Sequence, residues 1–172
     1  MTQPSKSVRI EFVALLAAFA LFLSTVEYMI PKPLPFMRLG LANLPLMIAL
    51  GVARNKEYAL LSILKVLGQA LVTGTLFSYI ALFSVVGTFA SVAVMLVLYH
   101  VGKKQISLIG IGVGGAMASN IAQLVLSYYL LFGDAALLIA TPFLAVGLIS
   151  SLILGIFAHQ FVTQSRWYQR YL

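Results

Sequence analysis

The stretch LLSILKVLGQALVTG, from Leu60 to Gly74, is a long apolar run that carries one cation, Lys65, near its middle. The other charged residues lie at or near the ends of apolar runs. A lysine inside a bilayer costs roughly 2.5–3.5 kcal/mol on insertion scales, so it normally faces a helix-bundle interior and a polar partner. The stretch therefore predicts a membrane helix whose buried side handles a polar or anionic group.

The composition of the 172 residues is that of an integral membrane protein. Hydrophobic residues make up 62% and charged residues 9%, and the mean hydropathy is +1.04. A soluble domain of this size needs more polar surface. The apolar runs lack β-type alternation, and lipid-exposed backbone must satisfy its own hydrogen bonds, so we predict an all-α bundle forming one domain, residues 1–172. The net charge of +7 does not indicate nucleic-acid binding, because the basic residues form short clusters between apolar runs.

Six transmembrane spans are predicted, at residues 8–30, 39–53, 57–73, 78–101, 107–132 and 135–162. With the N-terminus inside, Lys32 and Arg38 fall outside and Lys65 lies within a span. The other eight of the eleven basic residues fall on the cytoplasmic side, as the positive-inside rule requires: Lys6, Arg9, Arg54, Lys56, Lys103, Lys104, Arg166 and Arg170. The distribution predicts that both termini are cytoplasmic.

The second span is too short for an ordinary transmembrane helix. Its 15 residues would extend about 22 Å against a hydrocarbon core of about 30 Å. The span contains Pro45 and follows a proline-rich loop that carries Arg38, with Asn43 inside the span. Short helices interrupted by proline beside polar residues are typical of transporter binding sites. A tilted or interfacial helix with an ordinary proline turn is equally consistent with the pattern.

Acidic residues are too few and too dispersed for metal-dependent catalysis. The chain has four, and no two lie close together on one helical face: Glu11, Glu27, Glu57 and Asp134. An enzyme that uses Mg²⁺ and a diphosphate needs clustered carboxylates. The chain has no cysteine, its two histidines share no ligand spacing, and it has no nucleotide-binding loop. We predict no catalytic residue, no metal site, no cofactor and no ATPase of its own.

Polar residues inside the spans are the candidate substrate ligands. Lys65 and Gln69 share one helix face at four-residue spacing, and Asn120 and Gln123 share another at three-residue spacing. These residues predict an outer pocket made by the loop after the first span and by spans one, three and five. In it, Lys65 and Arg38 would neutralise an anion. The hydrogen-bonding groups would come from Glu27, Asn43, Gln69, Asn120 and Gln123.

Structural roles for the same residues remain open. Asn120 and Gln123 could form ordinary interhelical hydrogen bonds. Lys65 could pair with Glu27 or with a backbone carbonyl. Arg38 and Asn43 could serve as an interfacial anchor and a helix N-cap.

Three segments resemble a known membrane family: PLPFMRLGLANLPLMIAL (33–50), LKVLGQALVTGTLFS (64–78) and SLIGIGVGGAMASNIAQL (107–124). The family is named "Gx transporter" or "heptaprenyl diphosphate synthase component I", and the resemblance covers about residues 8–154. It is grouped with the substrate-binding S components of energy-coupling factor (ECF) transporters, which are six-helix bundles. These capture a vitamin or related micronutrient outside the cell and pair with a membrane T component and two cytoplasmic ATPases.

The resemblance implies an S-component-like subunit of a bacterial cell-membrane importer, surrounded by lipid. Its substrate would be a small molecule that is anionic, vitamin-like or an isoprenoid or quinone precursor. Ala14 and Ala18 match the Ala-x-x-x-Ala motif with which several S components dock onto the T component, and small residues at this spacing allow close helix approach. One rival hypothesis is an accessory membrane subunit of a heptaprenyl diphosphate synthase. The other is a structural membrane protein without a ligand.

Overall fold

The computed structural model describes residues 6–31, 37, 39–102, 105–169 and 171, with side chains from residue 10 onward. These residues form seven α-helices and no strand: α1 (Lys6–Met29), α2 (Leu44–Ala49), α3 (Asn55–Val72), α4 (Tyr79–Gly102), α5 (Leu108–Ser127), α6 (Ala135–Gln164) and α7 (Arg166–Gln169). A 3₁₀ turn, Leu41–Asn43, precedes α2, and a π-helical turn, Tyr128–Phe132, extends α5.

Four of the helices are long and apolar enough to cross a membrane: α1, α4, α5 with its π-helical turn, and α6. The chain is therefore an all-helical membrane protein, as its composition predicts. The predicted count of six spanning helices is not confirmed. One reason is α3, which has only 18 residues and carries three charged side chains, Lys56, Glu57 and Lys65.

The second predicted span does not form one continuous helix. Five predicted spans agree with helix bounds to within two residues, but residues 39–53 contain only the 3₁₀ turn and the six-residue α2. Gly40 turns the chain with a φ of 85° just before the 3₁₀ turn, a conformation that favours glycine. Pro45 then lies in the first turn of α2, where its missing N–H is not needed. Every residue from Leu44 to Leu50 is buried, so this segment is surrounded by protein.

The long helices pack side by side in the order α1, α3, α4, α5 and α6, and α2 contacts α1, α3, α5 and α6. Some of this packing is very close. A Cβ atom placed on Gly155 of α6 would lie 3.2 Å from the Cα atom of Ile109 in α5. On the other side of the bundle, Ala14 and Ala18 are exposed on α1, whereas Ala17 is buried.

Two apolar clusters are separated by a polar level. The larger cluster lies where α3 and α5 begin and includes Phe12, Tyr58, Met95, Ile111 and Tyr168. The smaller cluster is formed by Met37, Phe83 and Phe143. Along α4, α5 and α6, the positions between the two clusters hold Thr88, Ser119 with Asn120, and Gly147. The fold thus places polar groups at mid-height in an otherwise apolar interior.

Candidate functional site

A small polar cavity lies at this middle level of the bundle. Every helix from α1 to α6 except α2 contributes to its wall, together with the turn before α2: Glu27, Leu39, Gly40, Ala42, Asn43, Lys65, Thr88, Ala116, Ser119, Asn120 and Gly147. The cavity volume is about 20 Å³, which is room for about one or two water molecules. Four of the seven predicted substrate ligands line it: Glu27, Asn43, Lys65 and Asn120.

Lys65 links three elements of the wall. Its Nζ donates to Asn43 Oδ1 at 2.6 Å and to Thr88 Oγ1 at 3.2 Å. The side chain is only 3% exposed, so the cation is removed from bulk solvent and held by dipoles of the 3₁₀ turn and α4. A buried cation in a polar shell attracts an anionic group strongly, because little solvent screens it.

Glu27 binds backbone rather than Lys65. Its Oε1 accepts the N–H groups of Leu39 at 2.7 Å and Gly40 at 3.2 Å, and its Oε2 accepts that of Ala42 at 3.5 Å. Successive backbone N–H groups that point to one side form an anion-binding concavity, and here the anion belongs to the protein. Glu27 thus anchors the chain between α1 and α2, and these backbone dipoles offset its negative charge.

Two glycines make room for two amide side chains on α5. A Cβ atom on Gly147 of α6 would overlap the amide of Asn120, and one on Gly87 of α4 would overlap the amide of Gln123. Gln123 Nε2 donates to Ser119 Oγ at 2.9 Å. The neighbouring helices therefore approach α5 closely while its amides remain inside the bundle.

Asn120 is a cavity side chain whose amide makes no hydrogen bond to the described residues. It is 4% exposed. Burial of an unpartnered amide is costly, and such groups are usually completed by water or a ligand. Outside this cavity, four fully buried side-chain atoms have no hydrogen-bond partner among the described residues: Ser24 Oγ, Ser91 Oγ, Gln123 Oε1 and Ser127 Oγ.

Two of the other predicted ligands, Gln69 and Gln123, do not line the cavity. Gln69 is buried one turn beyond Lys65, and its Oε1 accepts from Ser84 Oγ at 3.5 Å. Gln123 is buried beside Ser119, also outside the lining. Arg38 lies outside the described residues, so its predicted role is untested.

The sequence interpretation missed Thr88, Ser119 and Gly147. Hydroxyl side chains are common in apolar helices because they can bond to their own backbone, so they give little signal. A glycine in the middle of a membrane helix is equally common. The sequence offered one local sign of these residues: Thr88 directly follows Gly87, and Ser119 directly precedes Asn120, so small and polar residues stand side by side within apolar runs.

The described ranges contain no group of three or more histidine, cysteine, aspartate or glutamate side chains placed to hold a metal ion. Glu27 is the acidic residue among the cavity-lining side chains described above.

Comparison with protein-family models gives one match, to the family described as heptaprenyl diphosphate synthase component I, over residues 16–161. The chain belongs to this family. The matched range contains every residue that lines the cavity, from Glu27 to Gly147. It confirms the family resemblance seen in the sequence, under the synthase-component description, and adds no support for the grouping with S components. No curated protein and no solved structure matches the chain.

Proposed function

We propose that this chain is a ligand-binding membrane subunit that holds an anionic group in the cavity between Lys65 and Asn120. The observation that carries the proposal is the buried, unpartnered amide of Asn120 in the same small cavity as the Lys65 side chain. If the interior served only for apolar packing, it would not be expected to contain both a cation and an amide without a hydrogen-bond partner, because each is costly to bury.

The family description supports a place in a heptaprenyl diphosphate synthase assembly. In that assembly we propose a non-catalytic role for the chain, with a separate partner supplying the metal site. Mg²⁺–diphosphate chemistry needs several hard oxygen ligands, whereas Glu27 of the cavity is already bonded to backbone N–H groups. The subunit would then bind an isoprenoid-related ligand at the membrane.

A second candidate function is the S-component role in an importer. It is favoured by the exposure of Ala14 and Ala18 on α1, because exposed small residues allow another membrane helix to approach closely. The partners would be a T component and two cytoplasmic ATPases. In either function we propose a bacterial cell membrane with both termini cytoplasmic, with α3 and the α2 segment completing a six-segment bundle. Reporter fusions after Lys104 and after Leu172 should both report cytoplasm, and an external signal at either site contradicts this topology.

The ligand-binding role is tested with Lys65→Met. Ligand affinity should fall by roughly 2–5 kcal/mol, as when one partner of a buried charge pair is lost. Stability should change little, because removal of a buried charge offsets the loss of the donor to Asn43. The measurement is mass spectrometry of small molecules retained by the purified protein, with thermal melts of the same preparation. Lys56→Met is the matched control, since Lys56 is exposed on the same helix. Unchanged retention in a folded Lys65→Met protein removes Lys65 from the site.

Co-purification separates the two assemblies. Capture of a soluble prenyl-transferring subunit supports the synthase role, whereas capture of a T component with ATPases supports the importer role. Ala14→Leu or Ala18→Leu should weaken assembly while ligand retention persists, because a bulky side chain holds the partner helix away. If assembly is unchanged and ligand retention fails, the alanines belong to the fold or the pocket. If no partner and no ligand are recovered, the chain has a structural role.

A further inference from the structure

We infer that the group bound in the cavity is a single carboxylate and not a diphosphate. This inference rests on the proposed function and names the chemical class of its ligand. It concerns the cavity lined by Lys65, Asn43, Thr88, Ser119 and Asn120. Hydrogen-bond direction and size each contribute to it.

The direction of the hydrogen bonds makes the cavity rich in donors. Lys65 can only donate, so Asn43 Oδ1 and Thr88 Oγ1 are acceptors towards it. Ser119 Oγ likewise accepts from Gln123 Nε2. The hydroxyl hydrogens of Thr88 and Ser119 and the Nδ2 hydrogens of Asn43 have no acceptor among the described residues. These hydrogens can therefore be donated to a ligand in the cavity.

The Asn120 amide adds a further donor to the three side chains. The set comprises Asn43 Nδ2, Thr88 Oγ1, Ser119 Oγ and Asn120 Nδ2. An ionised carboxylate has two oxygens with about four lone-pair sites and no donor of its own. The donors of the cavity therefore match a carboxylate in number and in kind.

The size of the cavity leads to the same conclusion. Its volume of about 20 Å³ corresponds to about one or two water molecules, which the two oxygens of a carboxylate can replace. Two tetrahedral phosphate groups would have to displace the wall. Part of that wall is closely packed, because there is no room for even a Cβ atom between Gly147 and the amide of Asn120.

The test titrates the purified full-length protein with formate and with inorganic diphosphate, at ionic strength matched with potassium chloride. The readout is the melting temperature of the wild type, Lys65→Met and the control Lys56→Met. Formate should raise the melting temperature saturably in the wild type and in Lys56→Met, and should have no saturable effect on Lys65→Met. Diphosphate should need a concentration at least about 100-fold higher for half-saturation, because its two tetrahedral groups exceed the cavity volume of about 20 Å³.

Asn120→Ala provides a second variant in case Lys65→Met does not fold. Loss of one donor should raise the formate half-saturation concentration by about tenfold, as expected for a hydrogen bond to a charged group. Diphosphate that saturates at the same or a lower concentration than formate, with dependence on Lys65 or Asn120, overturns the carboxylate inference and leaves the proposed function intact. If neither anion shows that dependence, both the inference and the binding role fail.

Discussion

Replacing Glu27 by glutamine should loosen the connection between α1 and α2. In the wild type, Oε1 accepts from Leu39 and Gly40 at 2.7 and 3.2 Å, and Oε2 accepts from Ala42 at 3.5 Å. The glutamine oxygen can keep the first two bonds, but without charge assistance. Hydrogen bonds to charged groups contribute about 1.5–3 kcal/mol and neutral ones about 0.5–1.5 kcal/mol. The two bonds together should therefore lose about 2–3 kcal/mol, and the new amide nitrogen would face the Ala42 N–H.

The free energy of unfolding can be measured in mixed micelles by denaturant titration, with amide hydrogen exchange at Leu39 and Gly40 as the local readout. We expect both the loss of stability and faster exchange at these two amides. Glu57→Gln is the control, because Glu57 accepts the Arg54 N–H at 3.0 Å at an exposed helix start. Glutamine can keep this one bond without charge assistance, so Glu57→Gln should cost no more than about 1 kcal/mol. If Glu27→Gln is no less stable than Glu57→Gln and its exchange is unchanged, the carboxylate does not anchor this segment.

Two further predictions concern packing around the cavity and the seat of α2. Gly147→Ala should lower stability by about 1–3 kcal/mol through overpacking against Asn120 and should also weaken ligand retention. The control Gly110→Ala, at an exposed position of α5, should leave ligand retention unchanged and raise stability by up to about 1 kcal/mol, because alanine favours a helix; equal effects on thermal melts would contradict the close approach of α5 and α6. Tyr168→Phe should cost about 1–3 kcal/mol, because its hydroxyl donates to the buried Ile48 carbonyl at 3.0 Å. Burial, with a smaller effect of Tyr99, raises the pKa of Tyr168 to about 12. The wild type should therefore keep this contribution below about pH 10 and lose it as the pH rises through about 12; in melts from pH 9 to 12, the stability difference between the wild type and Tyr168→Phe should shrink as the pH rises.

The long helices were predictable because apolar runs of bilayer length leave few alternatives. The error at residues 39–53 has a clear cause. Hydropathy registers that Leu44 to Leu50 are apolar, but it cannot distinguish contact with lipid from contact with other helices. Two features mark the break in the helix: the left-handed backbone of Gly40, and the position of Pro45 in the first turn of α2. The sequence shows only that these residues are a glycine and a proline.

Part of the candidate site was predictable because its residues interrupt the apolar pattern of the helices. Lys65, Asn43, Glu27 and Asn120 stand out because polar side chains are rare in apolar runs. Their partners do not stand out. The backbone donors to Glu27 come from a turn 12 to 15 residues later. The space for Asn120 is provided by Gly147 on another helix, a relation that only the packed bundle reveals.

The burial of α2 has a consequence for how the protein is made. Six apolar residues are far fewer than the roughly 20 that a segment needs to partition into a bilayer by itself, so α2 must be carried in between α1 and α3. The carbonyl group of Ile48, near the end of α2, accepts a hydrogen bond from the hydroxyl of Tyr168, 120 residues later in the chain. The packing around α2 is therefore completed only after Tyr168 has been synthesised. A protein truncated before α7 should insert its long helices into the membrane, but α2 should not be packed stably among them.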